Sequence, residues 1–491
     1  MAFDGTFSIT VNGAAVRTAK NFEVLNPANE RILAHAPDAA PQDLDAAVAA
    51  ARQAYPGWRA LPYWKRQALI TALGAKLQEH ADAFKQLLTL EHGKSHYWSQ
   101  LEIAGSAMWL QMVAQQQLPV TVNESTPERH SETRRVPLGV VGAIVPWNFP
   151  MLLAAFKIAP ALLAGNTIVL KPSPYTPLTA LKFGELARGV LPPGVFNVIS
   201  GSDELGPWMT EHPDINKISF TGSTATGRKI MRSAAGTLKR LTLELGGNDP
   251  AIVLPDVDIS RVVPQLFWGA FLNSAQLCLA TKRLYIHEDV YEPIVKELVK
   301  FSESVKVGDG SQPDVQLGPI QNRRQYERVL ELIEGARRQG LRFLTGKTPM
   351  PGPGYFIPVT LIDNPPDDAP VVTEEAFGPV LPLLKFRNVD DVVARANDSS
   401  YGLGASVWTR NEPLAQQIAE RLECGTVWIN EIHYTMPNAA LAGHKQSGLG
   451  VENGLDGLLE YTVPQTVVLR KAQDPVEVLT EAHSYADAPR S

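Results

Sequence analysis

Apolar and polar positions fall into three regimes along this chain. At the start, Phe7, Ile9 and Val11 alternate with polar residues and run into Asn12-Gly13, which predicts a hairpin. Helical spacing then takes over in Asp43 to Tyr55, in Pro62 to His80 (Trp64, Ala68, Leu69, Leu73, Leu77) and in Ser99 to Gln116. That much helix ahead of the first strong strand predicts a layer packed on a sheet, not a separate domain.

From Pro137, short apolar runs alternate with helical periods. Strands are predicted at Val140-Val145, Thr167-Leu170, Val195-Ile199, Lys217-Phe220 and Leu241-Leu245. The helices between them are Met151-Leu163, Leu178-Gly189, Glu204-His212 and Thr224-Ala235. This is the spacing of βαβ units, hence of a doubly wound parallel sheet. A second series follows Gly246-Gly247. Its strands are Arg283-His287, Thr360-Ile362, Leu381-Phe386, Ala405-Thr409 and Gly425-Ile429, and its helices Tyr291-Ser304, Arg323-Gln339, Val389-Asn397 and Glu412-Glu423.

The expected class is therefore α/β, with two doubly wound domains and a small strand arm. Residues 1-119 and 138-246 form the first domain and 247-446 the second, with a hinge near Glu244 to Asp249. Segments 120-137 and 461-471 supply the arm, and the polar tail after Lys471 is expected to be loosely held. Leu138 to Leu170 is apolar enough to suggest a membrane span, but Pro146, Pro150, Pro160, Lys157 and Asn166 interrupt it.

Composition narrows the function. The 491 residues are 44% hydrophobic, 8% aromatic and 20% charged, which excludes disorder. With 45 basic and 51 acidic residues the net charge is −6, so charge gives no reason to expect nucleic acid or a membrane as partner. The basic pairs Arg134-Arg135, Lys282-Arg283, Arg323-Arg324 and Arg337-Arg338 read as solvated faces. Two cysteines, Cys278 and Cys424, rule out a disulfide framework and a cysteine-rich zinc module. No metal set is expected. Met1 to Phe22 lacks a basic stretch followed by an apolar run, so a cytoplasmic, reducing location is expected.

The candidate chemistry sits in loops. There is no G-x-G-x-x-G, and Gly222-Ser223-Thr224-Ala225-Thr226-Gly227-Arg228-Lys229 only approaches a Walker A loop, its lysine one place late. A Gly-Ser before a helix still presents free N–H groups to an anion, or Ser223 is simply the N-cap. Cys278 lies between Leu277 and Leu279, a setting typical of core packing. Glu244, in Leu243-Glu244-Leu245-Gly246-Gly247, is an acid at an apolar strand end, where burial would make it more basic. Asn148 lies between rigid turns in Pro146-Trp147-Asn148-Phe149-Pro150, and Glu375 precedes Ala376-Phe377-Gly378-Pro379. Taken singly, each also reads as an ordinary ion pair, turn cap or surface acid.

Seven motifs in order change that reading. They are Pro146-Trp147-Asn148-Phe149-Pro150, Lys171-Pro172-Ser173, Phe220-Thr221-Gly222-Ser223, Leu243-Glu244-Leu245-Gly246-Gly247, Gln276-Leu277-Cys278, Glu375-Ala376-Phe377-Gly378-Pro379 and Lys445-Gln446-Ser447-Gly448. Together they resemble the NAD(P)-dependent aldehyde dehydrogenase superfamily, from Phe7 to Val468. The resemblance makes the first domain Rossmann-like and dinucleotide-binding, the second catalytic, and the arm a device for homodimers or homotetramers.

It also implies roles. A Cys278 thiolate attacks the aldehyde, while the Asn148 amide and the cysteine N–H hold the oxyanion. Glu244 activates the water that cleaves the thioester, and Glu452 matches a second acid of proton relay. Because the CoA-acylating branch lacks that base, Glu244 implies a free acid product. For NAD or NADP, Lys171 is assigned to the adenosine ribose, Ser223 and Trp147 to the pyrophosphate, Glu375 to the nicotinamide ribose and Lys157 to the nicotinamide side. Ser173, Gly222, Leu245 and Phe377 complete the cofactor set.

The chain departs from the family in three places. Pro174 stands where NAD-preferring members often have Glu, which opens the site to NADP as well as NAD. Ser274-Ala275 replaces a glycine ahead of Gln276, and Leu441 replaces an aromatic of many substrate tunnels. The tunnel implied by resemblance is Phe149, Leu153, Phe156, Leu277, Leu279 and Leu441, with His433 and Tyr434 at its mouth. It is an apolar wall without arginine, suited to an apolar or aromatic aldehyde. The rival readings are a cysteine-dependent esterase or thioesterase, and a non-catalytic binding protein on the same fold.

Overall fold

Five parallel strands lie side by side in the order Phe196–Val198, Thr167–Lys171, Val140–Ile144, Lys217–Thr221 and Arg240–Glu244. In the computed structural model, which describes residues 3–346, 350 and 352–471, nearly all of these positions are buried. That explains why they read as continuous apolar runs and not as alternating ones. Chain order reverses between Val140–Ile144 and Lys217–Thr221, so the crevice at their carboxyl ends is the topological switch point of the sheet.

The predicted hairpin, Ile9–Val11 with Ala14–Val16, closes one edge of this sheet. At the other edge Gly448–Leu449 pairs antiparallel with Leu243 and Glu244, which returns the late chain to the end of the Glu244 strand. The helical layer comprises Pro41–Ala60, Tyr63–Glu79, Ala81–His92 and His96–Val113. The third of these is absent from the sequence reading, because it follows its neighbour after the single residue His80. Trp64, assigned to a buried stripe, is exposed. The strand pair Lys20–Asn26 and Arg31–Asp38 was also not anticipated; a bulge at Val24/Leu25 breaks its alternation.

The second sheet runs Arg342–Phe343, Thr360–Asp363, Val380–Phe386, Thr281–His287, Asp249–Val253, Gly404–Trp408 and Thr426–Ile429, all parallel except the first. Its strand Asp249–Val253 opens with Asp-Pro, which reads locally as a turn. The helix expected over Glu412-Glu423 ends at Ala419. Arm strands form where expected: Arg129–Pro137 lies between Thr121–Ser125 and Thr462–Arg470. The tail after Lys471 lies outside the described residues. Among those described, no helix is long and apolar enough to cross a membrane.

Candidate active site

Loops at the carboxyl ends of the first sheet carry Trp147, Ser173, Gly222, Ser223 and Leu245, whereas Lys157 lies inside the helix Pro150–Ala164 and Glu375 and Phe377 precede the strand Val380–Phe386. After Lys217–Thr221 the chain turns through Gly222 and enters the helix Thr224–Ala234. Ser223 is its N-cap, accepting from the Thr226 N–H at 3.3 Å. The remaining first-turn N–H groups have no intrahelical acceptor. Gly222 is required because a Cβ there would strike the Phe220 ring, and Leu245 packs over Gly227. Lys171 is buried with no acceptor closer than the Pro172 carbonyl at 3.4 Å, and burial lowers its pKa to about 8. Ser173 accepts from the Tyr175 N–H at 3.3 Å. Trp147 meets Phe377 edge-on at 5.4 Å.

Glu375 accepts from the Gly247 N–H at 3.1 Å, and burial raises its carboxyl above the usual range. A Cβ on Gly246 would collide with that carboxylate. A helix N-terminus, a lysine with spare donors and a glycine-cleared acid fit the pyrophosphate and riboses of a dinucleotide.

The cysteine loop begins where the helix Ile259–Phe271 stops. Asn273, Ser274 and Ala275 are all left-handed, with φ of 55°, 56° and 61°. An alanine at such a φ is strained, and the surroundings hold it there. Ser274 Oγ donates to the Gly318 carbonyl at 2.7 Å, Gln276 Nε2 to that of Asn273 at 3.0 Å, and the Gln321 N–H to Gln276 Oε1 at 2.8 Å. Asn148 Nδ2 donates to the Gln276 carbonyl at 2.9 Å, leaving its second amide hydrogen for another acceptor.

Asn148 is itself held from behind. Lys94 Nζ donates to its carbonyl at 2.7 Å and pairs with Glu102 at 2.5 Å, both side chains fully buried. Glu102 also accepts from the Met151 N–H at 2.9 Å and so caps the helix Pro150–Ala164. The Lys94 ammonium lies 3.9 Å from the Phe149 ring centre.

The acids converge from a third direction. Glu244 is buried, its Oε1 has no hydrogen-bond partner, and its pKa is well above that of an ordinary carboxyl. Burial is the main cause; the Glu452 charge adds to it and Lys157 opposes it. Lys157, expected beside the nicotinamide, is fully buried and forms an ion pair with Glu452. Cys278 is half-buried and unoxidised, and burial pushes its thiol up to about 12. Burial thus favours the protonated form of both the acid and the thiol.

The tunnel residues split. Phe149, Leu153 and Leu277 are half-buried, whereas Phe156, Leu279 and Leu441 are buried. Phe156 stacks on Trp109 at 4.4 Å, and Leu441 pairs through its backbone with Glu452. His433 Nε2 lies 3.0 Å from the Leu279 carbonyl, and Tyr434 is exposed. Cys424 lies apart, its thiol donating to the Thr426 carbonyl at 3.4 Å.

Sequence reasoning missed Lys94, Glu102 and Lys282. The pair Lys282-Arg283, read as a solvated face, is buried. Its donors satisfy backbone carbonyls: Arg283 takes those of Asn248, Arg395 and Ala396. A basic pair abutting an apolar strand was the available signal.

A half-buried thiol on the loop ahead of Thr281–His287 thus faces a buried acid at the end of a dinucleotide-type sheet. The aldehyde dehydrogenase family model matches residues 15–467. A probable aldehyde dehydrogenase from Pseudomonas sp is 44% identical, covering 96% of each chain. Phenylacetaldehyde dehydrogenase of Pseudomonas fluorescens is 39% identical, covering 92% of this chain and 93% of its own. The NAD+ complex of an aldehyde dehydrogenase from Bacillus cereus superposes with a TM-score of 0.93 at 37% identity, covering 94% of this chain and 96% of its own. The chain belongs to the aldehyde dehydrogenase family, whose reaction is oxidation of an aldehyde to the carboxylic acid.

Two variants test the scaffold of the site. Lys94→Met leaves Glu102 buried without its counter-charge and is expected to cost about 3 kcal/mol in urea unfolding. Ala275→Val puts a β-branched residue at a left-handed φ and is expected to cost about 2 kcal/mol, while Ala275→Gly is tolerated.

Proposed function

We propose that the protein oxidises an apolar, preferably aromatic, aldehyde with NAD or NADP, using Cys278 as nucleophile and Glu244 as base. The observation that carries this reading is the pairing of a reactive-loop thiol with a buried carboxyl that has no structural partner. Glu452 has Lys157 as its ion-pair partner, whereas among the described residues no ion pair reaches Glu244.

The chain's own groups divide the work as follows. The Cys278 thiol gives up its proton to water, its sulfur bonds the carbonyl carbon, and the oxygen gains negative charge as a thiohemiacetal forms. The free Asn148 amide hydrogen and the Cys278 N–H stabilise that charge, each donor being worth about 3 kcal/mol in comparable sites. A bound nicotinamide supplies the hydride acceptor. Glu244 removes a proton from the water that cleaves the resulting Cys278 thioester, its raised pKa matching it to that task. Lys171, Ser173, Trp147, Gly222, Ser223, Leu245, Glu375 and Phe377 hold the dinucleotide. Glu452 and Lys157 set the electrostatics behind Glu244. No carboxylate stands at Pro174 to repel a 2′-phosphate, so both cofactors are accepted.

On this reading, residues 1-119 and 138-246 bind the cofactor and 247-446 carry catalysis. The arm joins copies of the chain, since Val468 and Leu469 are exposed on its outer strand. The apolar tunnel favours aromatic aldehydes over semialdehyde acids, in keeping with the similarity to phenylacetaldehyde dehydrogenase.

Absorbance at 340 nm, with NAD and NADP in parallel, is expected to rise with phenylacetaldehyde at a kcat/KM at least about tenfold above that for a semialdehyde acid. The reverse preference would overturn the substrate reading. Cys278→Ala is expected to abolish turnover. Glu244→Gln is expected to keep a stoichiometric burst of reduced cofactor while steady turnover falls at least about 100-fold. Loss of the burst itself would remove Glu244 from the assigned role. Because burial raises the Glu244 pKa, turnover limited by thioester hydrolysis is expected to climb with pH above the ordinary carboxylate range.

A further inference from the structure

Lys282 is a buried cation beside the cysteine loop. Its side chain is 4% exposed, four residues beyond Cys278 at the start of the strand Thr281–His287. The ammonium donates to the carbonyls of Cys278 at 2.6 Å, Leu277 at 3.1 Å and Ala280 at 3.4 Å, and lies 3.6 Å from Glu375 Oε1. So many backbone contacts from one buried lysine, on both sides of the nucleophile, exceed what closing the turn requires. That turn already has its own bond, Ala280 N–H to the Leu277 carbonyl at 3.2 Å.

Peptide geometry gives the contact its meaning. The Leu277 carbonyl and the Cys278 N–H belong to one planar trans unit and point in opposite directions. A cation fixing that carbonyl from behind fixes the direction of the N–H in front. It also polarises the amide and strengthens its N–H as a donor. The second contact, to Glu375, ties this peptide to the acid that accepts from Gly247. We propose that Lys282 is a positioning residue of the oxidation: it aims the Cys278 N–H at the aldehyde oxygen and couples that donor to Glu375 on the cofactor side.

The proposal rests on the assignment of Cys278 as nucleophile. Its electrostatics point the same way. Among the charges felt at Cys278, Lys282 favours the thiolate, whereas Asp249, Glu375 and Glu244 oppose it. Asp249 is buried beside the same loop: a Cβ on Gly247 would lie 2.8 Å from both Asp249 Oδ1 and the Cys278 carbonyl. Burial raises the Asp249 carboxyl to about 7. His433 faces the loop from the far side through the Leu279 carbonyl, and burial lowers its pKa to about 4. Lys282 is thus the only cation among the charges named at the thiol, facing three acids.

The test uses Lys282→Met, which keeps the length and removes the charge, and Lys282→Arg, which keeps the charge. Two readouts separate positioning from a merely structural role: the single-turnover rate of cofactor reduction, and the pH midpoint of Cys278 alkylation by iodoacetamide. In Lys282→Met, hydride transfer is expected to fall about 30-fold and the alkylation midpoint to rise by about one pH unit, with KM for the cofactor increased. Lys282→Arg is expected to keep the midpoint within about half a unit of wild type. A Lys282→Met protein with wild-type hydride transfer and midpoint overturns the proposal. Should that variant fail to fold, a Lys282→Arg midpoint raised by a full unit overturns it as well. A wild-type enzyme whose turnover survives Cys278→Ala would instead overturn the underlying mechanism.

Discussion

Backbone polar groups buried without partners are too costly to persist, and the loop from Asn273 to Ala280 is buried without regular secondary structure to satisfy it. Side chains from other parts of the chain do so. Asn148 and Gln321 meet Gln276, Gln276 and Ser274 reach the segment Gly318-Pro319, and Lys282 takes the carbonyls flanking the nucleophile. These bonds hold three consecutive left-handed residues that would otherwise relax. The geometry of Cys278 is therefore a consequence of how its peptide neighbours are hydrogen-bonded.

The same constraint explains why the site assembles from distant sequence. Gly448–Leu449 returns to the Glu244 strand and delivers Glu452 beside it. The buried pair Lys94–Glu102 fixes Asn148 and caps the helix that follows it. Glu452 is paired with Lys157 and Glu375 with Lys282, whereas among the described residues Glu244 Oε1 and both Asp249 carboxyl oxygens have no hydrogen-bond partner. Burial holds both towards the protonated form.

Much of this was legible beforehand, for definite reasons. The parallel strands around Val140–Ile144 are buried on both faces and so announce themselves as apolar runs. Asn148 and Glu244 sit at a helix start and a strand end, where proline and glycine mark the chain, and both face the Cys278 loop. What stayed hidden has a physical cause in each case. The pair Lys20–Asn26 and Arg31–Asp38 lost its alternation to a bulge, and Ala81–His92 went unassigned because it follows the helix before it after a single residue. Lys282 was read as a surface charge because a lysine's usual home is solvent; its three carbonyl partners are local in sequence, but periodicity does not register them.

The central claim is that oxidation passes through a covalent bond to Cys278 which Glu244 then helps water to break. Intact-protein mass spectrometry, on enzyme quenched in acid during turnover of phenylacetaldehyde, tests it most directly. The account predicts that Glu244→Gln accumulates one acyl group per chain, located on the peptide containing Cys278. An unmodified Cys278 peptide in that variant, sampled while reduced cofactor is still being formed, would contradict the account.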